Sequence, residues 1–315
     1  MSNELYDFSS LPLHVSRYDG ASGKQTIYID GERFMLKFGY PIDPNNKRTS
    51  ETSYANIPVN EFIGSHLFAA TGIPTQQTWL GTYRGQSVIA CRDFMQDYPD
   101  NYLLIHFKQL EISMPGESSL SKARPDWEFV HHVISNSPYL ARLREQTFHR
   151  YYQMLCVDAL IGNFDRHSNN WGFIADENTN IQQLAPVYDC GSCLAPHVSE
   201  EVMRERLQDP QLMSQVNRDS PYMAMNVRNK RRKFSFFLLS DEARPFRQVL
   251  PSLYETLTPA TLTTIVDSTP GISNLQKDFY LATLLSRRQV VWQPAYELAM
   301  KEQQLTSPRP HRLHR

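Results

Sequence analysis

Three side chains in one stretch of the sequence have the types and spacing that phosphoryl transfer requires. Between Leu155 and Leu194, Asp165 is followed five positions later by Asn170, and Asp189-Cys190-Gly191 comes next. In a kinase catalytic loop the aspartate meets the acceptor hydroxyl and the asparagine holds a magnesium ion, while an Asp-x-Gly element supplies a second metal ligand. Asp-x-x-x-x-Asn alone is a weak pattern, because aspartate and asparagine are common loop residues that cap turns. The conjunction is more specific, and it requires a lysine, a glutamate and a phosphate-covering loop elsewhere in the chain.

The upstream sequence offers all three in order. Asp19-Gly20-Ala21-Ser22-Gly23-Lys24 is a polar, glycine-bearing stretch followed by two apolar runs, Thr26–Ile29 and Glu32–Phe38, with Asp30-Gly31 between them. Asp-Gly at that place is a strong hairpin signal, since glycine tolerates the positive φ of a type I′ turn. Lys37 then lies on the second strand of the hairpin. In the functional reading, backbone groups of Gly20, Ser22 and Gly23 cover phosphates, with Lys24 beside them and Lys37 gripping the α- and β-phosphates of ATP. The plain alternative is a polar turn followed by a snorkelling surface lysine. Val59–Ala70 reads as a helix ended by Gly72 and Pro74. Its Glu61 is either the partner that orients Lys37 or a first-turn carboxylate complementing the helix dipole.

Two more strands are predicted over 78–83 and 87–91, completing a small antiparallel sheet. Cys91-Arg92-Asp93-Phe94 would then cross to a second lobe, and backbone groups at Cys91 and Asp93 are candidates to meet an adenine edge. From about Tyr98 the pattern is mostly helical. Phe148, Tyr151, Tyr152, Leu155, Cys156 and Ala159 recur at helical spacing up to Gly162, delivering Asp165 into its loop. A strand pair, 171–175 and 184–188, would place Asn170 and Asp189 at the two ends of a hairpin. Further helices are expected around 199–207, 245–250 and 275 to the early 300s. The fold class that results is α+β, with residues 1–93 as a sheet-bearing lobe, 94–302 as a helical lobe, and 303–315 as a disordered basic tail.

With 315 residues, 41% hydrophobic and 21% charged, the chain is long enough to bury a sizeable core. A formal charge of -1 gives no global reason to expect nucleic-acid or membrane attraction. Four cysteines in so long a chain suggest a reducing compartment, and with no leader-like N-terminus and no apolar run of spanning length the cytoplasm is the default. His167 reads as a buried support of the catalytic loop, Cys190-x-x-Cys193 as incidental to the Asp-x-Gly element, and Lys230–Lys233 as a solvated basic loop.

Gly-Asn-Phe-Asp165-Arg-His-Ser-Asn-Asn170 with Leu-Ala-Pro-Val-Tyr-Asp189-Cys-Gly resembles the HipA-like serine/threonine kinases, bacterial proteins found as toxin components. Tyr18–Lys24, Phe34–Phe38, Asn60-Glu61 and Ala90–Phe94 extend the resemblance over roughly Arg17 to Pro196. It implies a bilobal protein-kinase-like fold, ATP and Mg2+ as cofactors, transfer to a protein serine or threonine, and an antitoxin protein as a candidate partner. It also implies autophosphorylation in the glycine-bearing loop, for which Ser22 or Ser16 would serve. The rival readings are a catalytically inactive kinase-like binding module and a lipid or small-molecule kinase.

Overall fold

After two short strands, β1 (Tyr6–Asp7) and β2 (His14–Val15), the Asp30-Gly31 turn folds β3 (Lys24–Ile29) onto β4 (Glu32–Phe38). Both turn residues have positive φ, 51° and 83°, as a type I′ turn requires. The computed structural model describes residues 4–16, 24–39, 56–114 and 126–306. Gly20, Ser22 and Gly23 of the expected phosphate loop lie outside the described residues, as does the segment 40–55. Helix α1 (Ile57–Ala70) follows, and then β5 (Thr78–Tyr83) and β6 (Gln86–Arg92) close a six-stranded sheet in the order β1-β5-β6-β4-β3-β2. All its pairings are antiparallel except β1 with β5.

The two-residue period of β4 decides where Lys37 points. Phe34 and Leu36 face a small outer core with Phe8, Ile27, Val88 and Ala90. Met35 and Lys37 take the opposite face, towards α1. Helix α1 is buried from Pro58 to Phe68 apart from His66, so it is an internal brace and not a surface helix. Gly72, at φ 77°, ends it in the left-handed conformation expected of a residue just past the helix.

Past the crossing at Arg92 come β7 (Leu103–His106), α2 (Phe107–Ser113), α3 (Trp127–Asn136) and α4 (Arg144–Ile161), whose cap Gly162 has φ 70°. Strands β8 (Gly172–Ala175) and β9 (Ile181–Leu184) join β7 in a three-stranded sheet, order β7-β8-β9. The second strand of the expected hairpin thus ends where 184–188 was to begin. Val187 instead pairs with Thr75 in the N-terminal part, so the segment before Asp189 is drawn across to the other lobe. The remainder is α5 (Glu200–Gln208), α6 (Pro210–Asp219), β10 (Tyr222–Val227), β11 (Lys230–Lys233), α7 (Phe234–Phe237), α8 (Arg244–Thr256), α9 (Pro259–Asp267), α10 (Asn274–Arg287) and α11 (Gln293–Thr306). A π-helical turn over Arg288–Trp292 joins the last two helices.

The basic run at 230–233 is a strand, which corrects its reading as a loop. Arg228 and Asn229, both at positive φ, make a tight turn that pairs it with β10. Arg228 is held by Glu242 and Lys233 by Asp219, so part of the charge is neutralised locally. Helix α11 continues to Thr306, so residues 303–306 are helical and only 307–315 of the expected tail lie outside the described residues.

One large core joins α1, α4, α8 and α10 across both parts of the chain. One of its close seams is where α1 meets the segment after Asp189. A Cβ on Gly64 would lie 2.9 Å from Cys190 Cβ and 3.2 Å from Cys193 Sγ. Gly64→Ala therefore forces α1 away from that segment, and an overpacking cost of about 1–3 kcal/mol is expected. Thermal unfolding should show a midpoint lowered by several degrees, and an unchanged midpoint would contradict the seam described.

Candidate active site

Lys37 is 4% exposed and Glu61 1%, so neither the surface-lysine nor the helix-dipole reading survives. Glu61 sits beyond the first turn of α1. The Lys37 ammonium lies 3.2 Å from Glu61 Oε2 and 3.0 Å from Asp189 Oδ1, bringing strand, helix and Asp-x-Gly segment to one point. Burial disfavours the ammonium, but Asp189 and Glu61 outweigh it and hold the Lys37 pKa well above its usual value. Burial likewise opposes the Asp189 carboxylate, and Lys37, with Lys24 assisting, holds its pKa below the usual range. Because the folded carboxyl titrates below the unfolded one, this pairing stabilises the fold above about pH 4 and is lost as the pH falls through the folded value. Lys24 is also opposite Lys37 in the β3–β4 ladder, placing a second cation by the same cleft.

Glu61 does more than orient the lysine. Its other oxygen accepts the Cys190 N–H at 2.9 Å. Its neighbour Asn60 donates to Cys193 O at 2.6 Å and accepts from Cys193 Sγ at 3.3 Å. The glycine of Asp-x-Gly follows from this packing, since a Cβ on Gly191 would lie 3.0 Å from Glu61 Oε2 and 2.9 Å from Ile57 Cγ2. Asp189 itself has φ 59°, a strained conformation for a non-glycine residue, and its side chain remains 36% exposed.

Asp165 is half-exposed at the mouth of the loop. Asn170 Nδ2 donates to Asp165 O at 2.8 Å, which closes the five-residue interval and fixes the asparagine amide. Its amide oxygen and the Asp189 carboxylate are both hard oxygen donors, the type that a divalent cation such as magnesium prefers. Among the described residues no group of three His, Cys, Asp or Glu side chains is arranged to hold a metal ion. A cation here would therefore depend on the nucleotide for further ligands.

The support of the loop is Arg166, which sequence reasoning passed over, and not His167. His167 is part-exposed, accepts the Asn169 N–H at Nδ1, and has Nε2 3.9 Å from Asp165 Oδ1. Arg166 is buried and pairs with the equally buried Asp158 of α4, Nε to Oδ2 at 3.0 Å. Its Nη1 donates to Asn170 O at 2.8 Å and to Tyr188 O, tying the catalytic loop to the segment around Asp189. Asn163 completes the brace by donating to Asp158 Oδ1 and accepting the Asp165 N–H. The signal available in the sequence was Asp158 itself, a lone carboxylate within the otherwise apolar run Met154–Ile161.

The crossing between the lobes is braced differently from expectation. Cys91 is fully buried within the sheet. Asp93 gives its N–H to Arg33 O, pairs with Arg33 Nε at 2.6 Å and caps the turn at Met95. Any adenine contact at the crossing therefore falls to backbone groups other than the Asp93 N–H. All four cysteines are free and buried, and burial pushes the Cys190 thiol up to about 12, so the Cys-x-x-Cys pair is core filling.

Removing one member of the Arg166–Asp158 pair leaves a buried charge without its partner, at about 3–5 kcal/mol. Arg166→Met and Asp158→Asn should each lower stability in chemical denaturation by that order. The double variant should recover part of the loss, because the isolated charge is gone while the carbonyls of Asn170 and Tyr188 still lack a donor. Single losses under about 1 kcal/mol would contradict this account.

The HipA-like C-terminal domain family matches residues 16–269 of the chain. The serine/threonine-protein kinase CtkA of Helicobacter pylori (strain J99) is 30% identical over 311 residues, 96% of this chain and 92% of that protein. A crystal structure of the proinflammatory kinase CtkA of Helicobacter pylori superposes with a TM-score of 0.84 at 27% identity, covering 97% of this chain and 100% of that one. HipA of Shewanella oneidensis MR-1, solved with HipB and operator DNA, shares the fold with a TM-score of 0.54 at 13% identity, over 90% of this chain and 67% of that one. A family match that spans most of the chain, over a bilobal kinase-like fold, makes this protein a member of the HipA-like family.

Proposed function

We propose that the chain is an ATP- and Mg2+-dependent serine/threonine kinase of the HipA-like type. The observation that carries the reading is the convergence of Lys37, Glu61 and Asp189 within 3.2 Å contacts, beside a loop that presents Asp165 and Asn170. Lys37, held by Glu61, grips the nucleotide phosphates, with Lys24 and the backbone of Gly20, Ser22 and Gly23 covering them. Asp165 takes the proton of the acceptor hydroxyl. Asn170 and Asp189 would hold Mg2+, which when bound would supply positive charge against the phosphoryl oxygens. The backbone of the crossing after Cys91 receives the adenine.

The lobe boundary belongs to the same proposal, with 1–93 forming the nucleotide-covering lobe and 94–302 the catalytic one. The same proposal includes a toxin role regulated by autophosphorylation, with a protein antitoxin as the partner and Ser16 or Ser22 as the modified residue, as the resemblance to HipA-like kinases implies. No helix among the described residues is long and apolar enough to cross a membrane.

Labelled γ-phosphate should move from ATP into protein in the presence of Mg2+, alone and with cell lysate, with phosphosites located by mass spectrometry. Asp165→Ala and Asp189→Ala should each reduce transfer by at least about 1,000-fold, the order expected when a kinase loses a required group, while the circular dichroism spectrum stays unchanged. Full activity in either variant would refute the assignment. Label entering a lipid or a soluble metabolite would redirect it to the rival kinase classes, and absence of Mg2+-dependent nucleotide binding would favour an inactive module.

A further inference from the structure

Helix α2 lies against the middle of the catalytic loop. The first two N–H groups of the helix donate to the loop itself, Phe107 N–H to Trp171 O and Lys108 N–H to Ser168 O, both at 3.0 Å. Glu111, one turn on, points the same way. It is 1% exposed, accepts the Ser168 hydroxyl at 2.6 Å on one oxygen, and meets the Lys108 ammonium at 3.1 Å on the other. Ser168 lies between Asp165 and Asn170 and takes a partner separate from the Asp158–Arg166 pair.

Burying a carboxylate costs several kcal/mol unless it is paired and hydrogen-bonded, and an apolar side chain of similar size often packs as stably. Phe107, Leu110 and Glu111 share the buried face of α2, a face on which leucine would pack without that cost. What Glu111 adds over leucine is a short, charge-assisted hydrogen bond to the loop residue midway between the candidate base and the candidate metal ligand. We infer that Glu111 is a positioning residue for phosphoryl transfer, acting through Ser168 to hold the span from Asp165 to Asn170 at fixed geometry. The inference rests on the kinase reading above, and it names a residue that none of the catalytic motifs contains.

The test compares wild type, Glu111→Leu, Glu111→Gln, Ser168→Ala and the Glu111→Leu/Ser168→Ala double variant. Transfer of labelled γ-phosphate to the protein itself or to casein is measured, together with the KM for ATP, unfolding midpoints and amide hydrogen exchange across 165–170. Glu111→Leu and Ser168→Ala should each lower kcat about 10- to 100-fold, the order of effect for a reacting group displaced by about 1 Å, with the ATP KM within about threefold. The double variant should be no worse than the poorer single one, because both remove the same bond. Glu111→Gln, which keeps an acceptor for Ser168, should restore most of the rate, and the double variant, which removes both partners of the bond, should unfold no earlier than wild type. Exchange over 165–170 should rise at least about tenfold in Glu111→Leu while other core amides are unchanged.

Unchanged kcat in either single variant, additive losses in the double variant, or exchange rising throughout the helical lobe would overturn the inference. If wild type transfers no phosphate, the kinase reading fails on its own. The exchange comparison then still decides whether Glu111 fixes the loop.

Discussion

The arrangement of this site depends on one buried guanidinium. Arg166 is the only donor placed to satisfy the carbonyls of both Asn170 and Tyr188 among the hydrogen bonds of the described residues. Those carbonyls belong to one candidate metal ligand, Asn170, and to the residue just before the other, Asp189, and a buried carbonyl without a donor costs free energy comparable to a lost hydrogen bond. A buried guanidinium is tolerable only with a buried counter-charge, and Asp158 provides it. Helix α4 must then run deep in the core with a carboxylate on its buried face, ending at Gly162 so that Asn163 can turn back to the same carboxylate. The ring of Phe68 from α1 lies under Arg166 at 5.7 Å, so even the helix carrying Glu61 is packed against this charge.

The second electrostatic centre has the opposite logic. Lys37 is a buried cation with two carboxylates, one fixed and one partly exposed. Glu61 divides its oxygens between the lysine and the Cys190 N–H, so its position is set whether or not Asp189 stays paired. Asp189 is the more accessible member, with its side chain 36% exposed while Glu61 is 1% exposed. A site that must receive a charged nucleotide benefits from such a division, because the fixed partner keeps the lysine ionised.

Much of this was legible in the sequence, and the limits have physical causes. Lys37, Glu61, Asp165, Asn170 and Asp189 could be ordered because phosphoryl transfer restricts both their types and their sequence along the chain. The β3–β4 hairpin followed from Asp30-Gly31, whose chemistry is local. Strand β9 was displaced because Ile181-Gln182-Gln183-Leu184 is polar and mostly solvent-facing, whereas the apolar run after it is apolar for crossing to Thr75. The β10–β11 hairpin was hidden by its turn, since Arg228-Asn229 lacks the glycine that marks most such turns, and by four consecutive basic residues. Arg166 and Glu111 escaped because nothing local distinguishes their buried charges from exposed ones, while the apolar neighbours of Asp158 were a signal that went unused. His167 was given the supporting role that Arg166 fills, the two being adjacent and opposite in exposure.

The segment around Asp189 is fastened along its whole length, and this bears on how the site can work. Val187 exchanges backbone hydrogen bonds with Pro74 and Gln76 just ahead of β5, Tyr188 O is held by Arg166, Cys190 by Glu61 and Cys193 by Asn60. Four anchors over seven residues come from the N-terminal sheet, from α1 and from the catalytic loop. A displacement of α1 must therefore carry Glu61 and the backbone around Asp189 together, and cannot separate the lysine's partners without breaking buried bonds. Catalysis by charge stabilisation requires dipoles and charges that are already in place when the reaction begins. Here that order comes from packing, with Gly64 and Gly191 allowing the close approach. The positive φ of Asp189 is the strain that such over-determination can hold, on a residue whose carboxylate meets the Lys37 ammonium.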